Sequence, residues 1–458
     1  MRILHAIHDF LPRHRAGSEI YAFELAKQLS RDATVFVLAA EYDPAAAHGT
    51  LRWRWHDGLT VVELVNNWEF GGFEETYSSE RINAQLGHVL DATRPDVLHV
   101  HNLLNLSFDL PRMAKERGIA VVATLHDYTL VCPSGGQRVH TAESHVCLTI
   151  DPERCARCFP QSAFSRQLRA GSVARGSSGR LLARAGRFVH EIAPGVARSA
   201  VRAIDGPPVG AGDIRRRLAY ARQVFETIDL FVAPSSSMAR EFSRLGVPAE
   251  RMMVSDYGFR SMGEAPVRER AQDGPLRIGF VGTLVWHKGV HVLIAAARAL
   301  TGTFEVLIHG DTNVFPDYVA ELRKAAAGAP IRFIGGFDRE RTTEIYRSLD
   351  VLVVASLWPE NSPLVIHEAF MQQIPVVAAR IGGMPELVHD GANGLLYEPF
   401  SADALRSALQ RLIDDRSYLD SLSRHISEVK TIQEDAREWQ ARYRAVCGRP
   451  IEAMPARS

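Results

Sequence analysis

Lys288, Glu360 and Glu368, with the glycines and helix start around them, are the residues whose types and spacing best suggest chemistry. Gly282, Thr283, Leu284, Lys288 and Gly289 share one short loop after an apolar run, and Lys288 sets a cation where the next helix should begin. Glycines let a backbone approach a ligand closely and helix N-termini favour anions, so this loop outlines a diphosphate site. A lysine about 4 Å from a phosphate contributes on the order of 4 kcal/mol before desolvation, at an effective dielectric of about 20. A second loop runs from Trp358 to Ala369. In it Ser362 suits an N-cap and Pro363 the first helical position, which leaves free amides near Pro363, Leu364 and Val365 as another anion site. Glu360 precedes those amides and can accept hydrogen bonds from sugar hydroxyls. Glu368, about one and a half turns into the helix, could reach a ribose diol. A third loop opens with Gly382, Gly383, Met384, Pro385 and Glu386. Each loop is a weak signal alone; their order along one chain is not.

Cysteine supplies a separate cluster. Cys132, Cys147, Cys155 and Cys158 fall in one short segment, and Cys447 lies far from them. The two-residue gap between Cys155 and Cys158 is the knuckle spacing that lets two thiolates share a metal. A closed structural zinc site, an iron–sulfur cluster and four unconnected thiols are the alternatives.

These residues need a scaffold of strand-to-helix loops. Apolar runs at 277–281, 304–309, 331–334, 351–354 and 375–378 alternate with helical segments such as 289–300 and 363–373, and a further strand follows at 395–397. Strands buried on both faces and separated by helices make a parallel sheet with crossovers. The first half repeats the theme at 3–7, 34–38, 97–100, 120–124 and 230–232, with helices at 17–29 and 79–93. Asp57 and Gly58 mark a hairpin turn. The expected class is α/β, with two doubly wound domains at 1–258 and 275–430 joined by a stretch rich in Gly, Pro and charge. A last helix at 431–458 carries Trp439 and Tyr443 and is expected to reach back onto the first domain. An insertion at about 128–222 breaks the alternation. It holds the cysteines and then an Arg-rich stretch that includes Arg166, Arg169, Arg175, Arg180, Arg184, Arg187, Arg198, Arg202, Arg215, Arg216, Arg217 and Arg222.

The 458 residues exceed one ordinary core, and 53 basic residues balance 53 acidic ones. That balance excludes a chain dominated by nucleic-acid binding, and aromatics in the Arg-rich stretch are few. No apolar run reaches the roughly 18 residues of a membrane span. The first residues read as a buried strand and not a signal peptide, which gives a cytoplasmic expectation. The Arg-rich stretch is either a solvated loop or a peripheral contact with anionic membrane at its inner face.

The loop carrying Glu360 and Glu368 resembles the glutamate–seven residues–glutamate motif of the retaining nucleotide-sugar glycosyltransferases of family 4, which have the GT-B fold. Gly282, Leu284, Lys288 and Gly289 match a second motif of that family, and the loop from Gly382 to Gly394 a third. In the first half, Gly17-Ser18-Glu19, His99-Val100-His101-Asn102 and Thr124-Leu125-His126-Asp127 are similar to its loops. The resemblance covers nearly the whole chain outside the insertion. It implies two Rossmann-like domains facing a central cleft, with a UDP-, GDP- or ADP-sugar as donor and a glycan or lipid-linked acceptor, in cell-surface polysaccharide or glycolipid synthesis. Glu360 would hold the donor sugar, Glu368 the ribose and Lys288 the diphosphate. Gly17 would approach that diphosphate from the first domain, and His126 would lie at the sugar's reacting face. No cofactor is implied for catalysis. Thr283 stands where the family commonly has Arg, which removes one diphosphate cation. A catalytically silent sugar-nucleotide-binding subunit, or another GT-B enzyme such as a sugar-nucleotide epimerase, is the alternative reading.

Overall fold

Side chains that alternate between two buried faces build the first sheet. The computed structural model describes residues 1–140, 143–174, 208–263, 274–337 and 341–448. Its first half contains β1 (Arg2–Ile7), β2 (Thr34–Glu41), β3 (Leu51–His56), β4 (Leu59–Val65), β5 (Val97–Val100) and β6 (Ala120–Thr124). Leu4 and Ala6 of β1 enter the core on one face, while Ile3 and Ile7 enter the core on the other. Two short strands, β7 (Val139–His140) and β8 (His145–Val146), pair antiparallel on their own within the insertion. The sheet resumes with β9 (Leu230–Ala233) and β10 (Met252–Val254), and its order is β10-β9-β6-β5-β1-β2-β4-β3. Every pairing is parallel except the β3–β4 hairpin, where Asp57 and Gly58 both take positive φ (45° and 89°), as a primed turn requires.

The second sheet comprises β11 (Leu276–Val281), β12 (Phe304–His309), β13 (Ile331–Gly335), β14 (Val351–Val354), β15 (Val376–Ala379) and β16 (Gly394–Tyr397). All are parallel, in the order β13-β12-β11-β14-β15-β16. Strand order therefore reverses between β11 and β14. In an open α/β sheet the crevice at the carboxyl ends of such a pair is where ligands bind. The loops carrying Lys288 and Glu360 follow β11 and β14 directly, so the topology places both at that crevice. The two-domain α/β class expected from the sequence is the one observed.

A final helix, Ile432–Val446, starts at a capping box between Thr431 and Glu434 and lies against the helix Gly17–Leu29 of the first half. Trp439 Nε1 donates to the Tyr21 hydroxyl at 2.9 Å, and that hydroxyl donates to Asp435 at 2.8 Å. Trp439 and Tyr443 are among the largest fully buried side chains. Residues 264–273 of the expected linker, 175–207 of the Arg-rich stretch and 449–458 lie outside the described residues. No helix among the described residues is long and apolar enough to cross a membrane.

Candidate functional site

Glu360 is 5% exposed, and its carboxylate takes a hydrogen bond from Lys288 Nζ and another from Ser356 Oγ at 2.7 Å. Burial alone would raise its carboxyl, but the Lys288 charge and these two donors outweigh burial and hold it below the ordinary carboxylate range. Two glycines of the third loop make that position reachable. A Cβ on Gly382 would meet the Glu360 carbonyl oxygen at 2.4 Å, and one on Gly383 would meet the Asn361 carbonyl oxygen at 1.8 Å. The Gly383 amide also donates to the Glu360 carbonyl at 2.7 Å. Gly289, with φ 71°, is needed for the same reason: a Cβ there would lie 1.9 Å from the Ala355 carbonyl oxygen. Three glycines thus let three loops share one small space.

The helix after Glu360 begins at Leu364 with Pro363 at the N-cap, one residue later than expected, and no side chain caps it. Ser362 is not its cap. Asp256 can only accept, so the Ser362 hydroxyl proton goes to Asp256 at 2.6 Å and the oxygen accepts from His367 Nε2 at 2.8 Å. Leu364 and Val365 open the helix, so their amides are among its free donors. Glu368 accepts from the buried Tyr346 hydroxyl at 2.8 Å and stays half-buried. Thr283 is exposed.

The first half supplies the opposite wall. A Cβ on Gly17 would sit 3.1 Å from the Leu364 side chain, so the first glycine loop already touches the helix start. Asn361 Nδ2 donates to the His126 carbonyl and, at 3.2 Å, to the Tyr257 hydroxyl. Glu386 of the third loop accepts from the Ser236 and Ser237 amides, both at 2.7 Å, at the start of the helix Ser236–Leu245. The structure brings Gly17, His126, Lys288, Glu360, Ser362, Pro363, Leu364 and Val365 to one crevice, with Glu368 one helical turn behind. Thr283 is on the loop of Lys288 but contributes only an uncharged, exposed side chain.

His126 is not a free imidazole. Its Nδ1 meets the Tyr257 hydroxyl at 2.8 Å and its Nε2 meets His101 Nδ1 at 3.0 Å, while His101 Nε2 meets His5 Nδ1 at 2.9 Å. The Asn361 amide fixes the direction of this chain. Its nitrogen must donate to the His126 carbonyl, so the Tyr257 oxygen accepts from it and the Tyr257 proton goes to His126 Nδ1. His126 then carries its own proton on Nε2, His101 does likewise, and the buried Nε2 of His5 ends the chain without a partner. Burial pushes His5 and His126 down to about 3, and His99 and His101 well below the ordinary value, so the stack is neutral at pH 7. His99 is tied to Tyr443 and Thr124 at 2.7 and 2.8 Å. His5 looks in the sequence like one more residue of a buried strand. Its signal was there: it shares the strand face of Ile3 and Ile7, and the β1–β5 register sets it beside His99.

Among the described residues, two groups bring three ligand-type atoms within 4.8 Å of one another: His5, His99 and His101, and His8, Asp9 and Glu19. In the first, His99 and His101 spend both ring nitrogens on protein partners. Cys132, Cys147, Cys155 and Cys158 line a common pocket elsewhere in the first half. The basic run is not one solvated patch: Arg217 is buried and holds the Thr129 and Leu130 carbonyls at 2.6 and 3.0 Å. Arg215 and Arg216 are exposed and paired with Glu153 and Asp213.

Comparison with known proteins adds the family. Residues 263–429 match the model of the glycosyl transferases group 1, and residues 15–151 that of Glycosyltransferase Family 4. The lipopolysaccharide core biosynthesis glycosyltransferase LpsE of Rhizobium meliloti is 29% identical over 45% of this chain and 59% of its own length. A D-inositol 3-phosphate glycosyltransferase of Corynebacterium aurimucosum is 35% identical over 47% of this chain and 54% of its own. The chain thus spans little more than half the length of these curated relatives. Two solved structures share the fold. Sucrose-phosphate synthase from Thermosynechococcus elongatus has a TM-score of 0.62 at 17% identity, over 97% of this chain and 99% of that one. Anabaena HepE in complex with UDP and glucose has a TM-score of 0.60 at 17% identity, over 96% and 95%.

Proposed function

Because the chain belongs to the GT-B glycosyltransferases whose two family models match its two halves, we propose that it moves a sugar from a nucleotide-sugar donor to a glycan or lipid-linked acceptor, with retention. The observation that carries this reading is the buried Glu360 paired with a half-buried Lys288 at the crevice where strand order reverses. A buried carboxylate with a fixed cation beside it suits a ligand that presents sugar hydroxyls and a diphosphate together. In this reading Lys288 turns from Glu360 to the diphosphate, and the Leu364 and Val365 amides take its other oxygens. Glu360, relieved of its cation, accepts from the sugar hydroxyls. Glu368 takes the ribose, with Tyr346 fixing its carboxylate. Gly17 approaches the diphosphate from the first half, and His126, neutral and held by Tyr257, lies at the sugar face with its carbonyl bonded to Asn361. As the glycosidic bond breaks, charge grows on the diphosphate oxygen, where the Lys288 cation and the helix amides stabilise it. That leaving oxygen is in turn the base that takes the acceptor hydroxyl proton.

The acceptor and the cellular site are the finer part of the proposal. HepE, of the same fold, binds UDP and UDP-glucose, which supports a nucleotide-sugar as the donor class. LpsE, a relative, acts in lipopolysaccharide core biosynthesis, which supports a cell-surface glycan or lipid-linked acceptor. Peripheral contact with an anionic membrane is supported by the exposed Arg215, Arg216 and Arg222 and, in the sequence, by the six arginines of 175–207. Flotation with anionic liposomes, sensitive to salt, is the expected outcome; no binding at low salt contradicts that contact. Thr283 keeps a silent sugar-nucleotide-binding subunit as the second reading. Turnover of any one nucleotide-sugar that Glu360→Ala abolishes decides for the enzyme, and equal inactivity of both proteins with every donor decides for the binding subunit.

A further inference from the structure

The four clustered cysteines play no part in the donor site, yet three separate pieces of chain bring them together. Cys132 ends the turn after His126, its amide donating to the Tyr128 carbonyl at 2.7 Å. Cys147 follows β8, and its amide donates to the Arg138 carbonyl at 2.7 Å. Cys155 and Cys158 stand three residues apart on the helix Pro152–Cys158, hence on one face. All four are free thiols and line one pocket.

The wall of that pocket carries a second observation. Arg138 is only 3% exposed and Arg154 is half-buried; both line the pocket, and the Nε of each is buried without a hydrogen-bond partner. A buried N–H without an acceptor is costly, so each calls for an acceptor. Arg138 uses its other nitrogens on Glu241 and the Leu148 carbonyl, Arg154 Nε faces the Glu143 carboxylate at 3.7 Å, beyond hydrogen-bond reach, and Arg217 lies buried within electrostatic reach of Cys132 and Cys155. Neutral thiols need no such company. Thiolates do: they carry charge that suits the buried Arg217, whose hydrogen bonds go to carbonyls, and they accept the hydrogen bonds that the Nε groups lack.

We propose that Cys132, Cys147, Cys155 and Cys158 bind one zinc ion as thiolates, with Arg138 and Arg154 as positioning residues that donate to the sulfurs. Zinc bonds to sulfur at about 2.3 Å in a tetrahedron. The ion must therefore draw the sulfurs closer, since the groups that already converge within 4.8 Å are the two histidine-containing ones. Four thiols surrender four protons to solvent as four zinc–sulfur bonds form, and the site keeps two net negative charges that Arg138, Arg154 and Arg217 face. The clamp ties the turn after His126 to the β7–β8 hairpin and the helix Pro152–Cys158. This inference is independent of the proposed transfer reaction.

The test is metal analysis of the full chain, purified without added metal and dialysed. Mercurial titration of its thiols is followed with a chromogenic zinc chelator. The expected result is about one equivalent of zinc, released in step with the four clustered thiols and unaffected by Cys447→Ser. Arg138→Met is expected to keep the zinc but release it at least about tenfold faster to a competing chelator, as loss of an outer hydrogen bond does. Less than about a tenth of an equivalent of zinc overturns the proposal, whether the thiols are free, joined as disulfides or holding an iron–sulfur chromophore. Because wild-type protein is measured, a cysteine variant that fails to fold does not blunt the result.

Discussion

Glu360 and Lys288 restrain each other before any ligand arrives. Replacing Lys288 with Met leaves a carboxylate that is 6% exposed with only Ser356 as donor. A fully buried pair broken this way costs about 3–5 kcal/mol; Lys288 is 30% exposed, so about 2–3 kcal/mol is expected, read as a lower urea midpoint. Because the Glu360 carboxyl is held low in the folded state, its contribution is present above about pH 4.5 and is lost as pH falls through the folded value. The histidine stack acts in a higher window. Neutral burial means the unfolded chain binds protons that the folded chain refuses, so stability declines as pH drops below about 6.5 and continues to decline toward about 3 for His5 and His126. The slope is about 1.4 kcal/mol per pH unit per histidine at its steepest. Chemical denaturation at pH 7, 6 and 5 checks it; a flat profile would show the stack is not neutral. Tyr257→Phe removes the hydroxyl that donates to His126 Nδ1 and is expected to cost about 1–3 kcal/mol.

The elements matter chiefly through how closely their loops approach. Gly383→Ala places a methyl where the Asn361 carbonyl oxygen now sits, so the Glu360 loop or the third loop must shift. Such overpacking costs about 1–3 kcal/mol, and a displaced Glu360 loses its aim at the donor. The expected outcome is a folded protein with weakened donor binding, seen as a smaller thermal shift with nucleotide-sugar. Much of this level was legible in the sequence. Strand runs, the Asp57-Gly58 turn and the glycine loops are local patterns, and each sets its own backbone. The helix starts at Leu364, one residue later than its sequence predicts, because Ser362 has a competitor for its hydroxyl: Asp256, 106 residues earlier, which no local pattern reveals. Arg217 was legible only as one more basic residue, since the carbonyls it holds come from the turn after β6.

At the scale of the molecule, the residues through which the two halves meet at the crevice are already engaged. Gly17 touches Leu364, Asn361 binds His126, Glu386 receives the start of a first-half helix, and Ser362 binds Asp256. The final helix adds Trp439 and Tyr443 to the first core, against Tyr21 and His99. Trp439→Ala should cost about 3–5 kcal/mol and lower the thermal midpoint of the whole chain, because the helix belongs to the first core. The histidine stack could not be read from any one segment. It needs the register of β1, β5 and β6 and a hydroxyl from Tyr443, more than 300 residues away.

The central claim is that Glu360 holds the donor sugar at the crevice between β11 and β14. The direct test compares wild type and Glu360→Gln with a nucleotide-sugar that the wild type turns over, measuring both turnover and the affinity for the matching nucleoside diphosphate. The amide keeps the shape, and Lys288 remains free to hold the diphosphate, so nucleoside diphosphate binding should change by less than about threefold while turnover falls by about 10²–10³. Turnover within about twofold of wild type would contradict the claim outright.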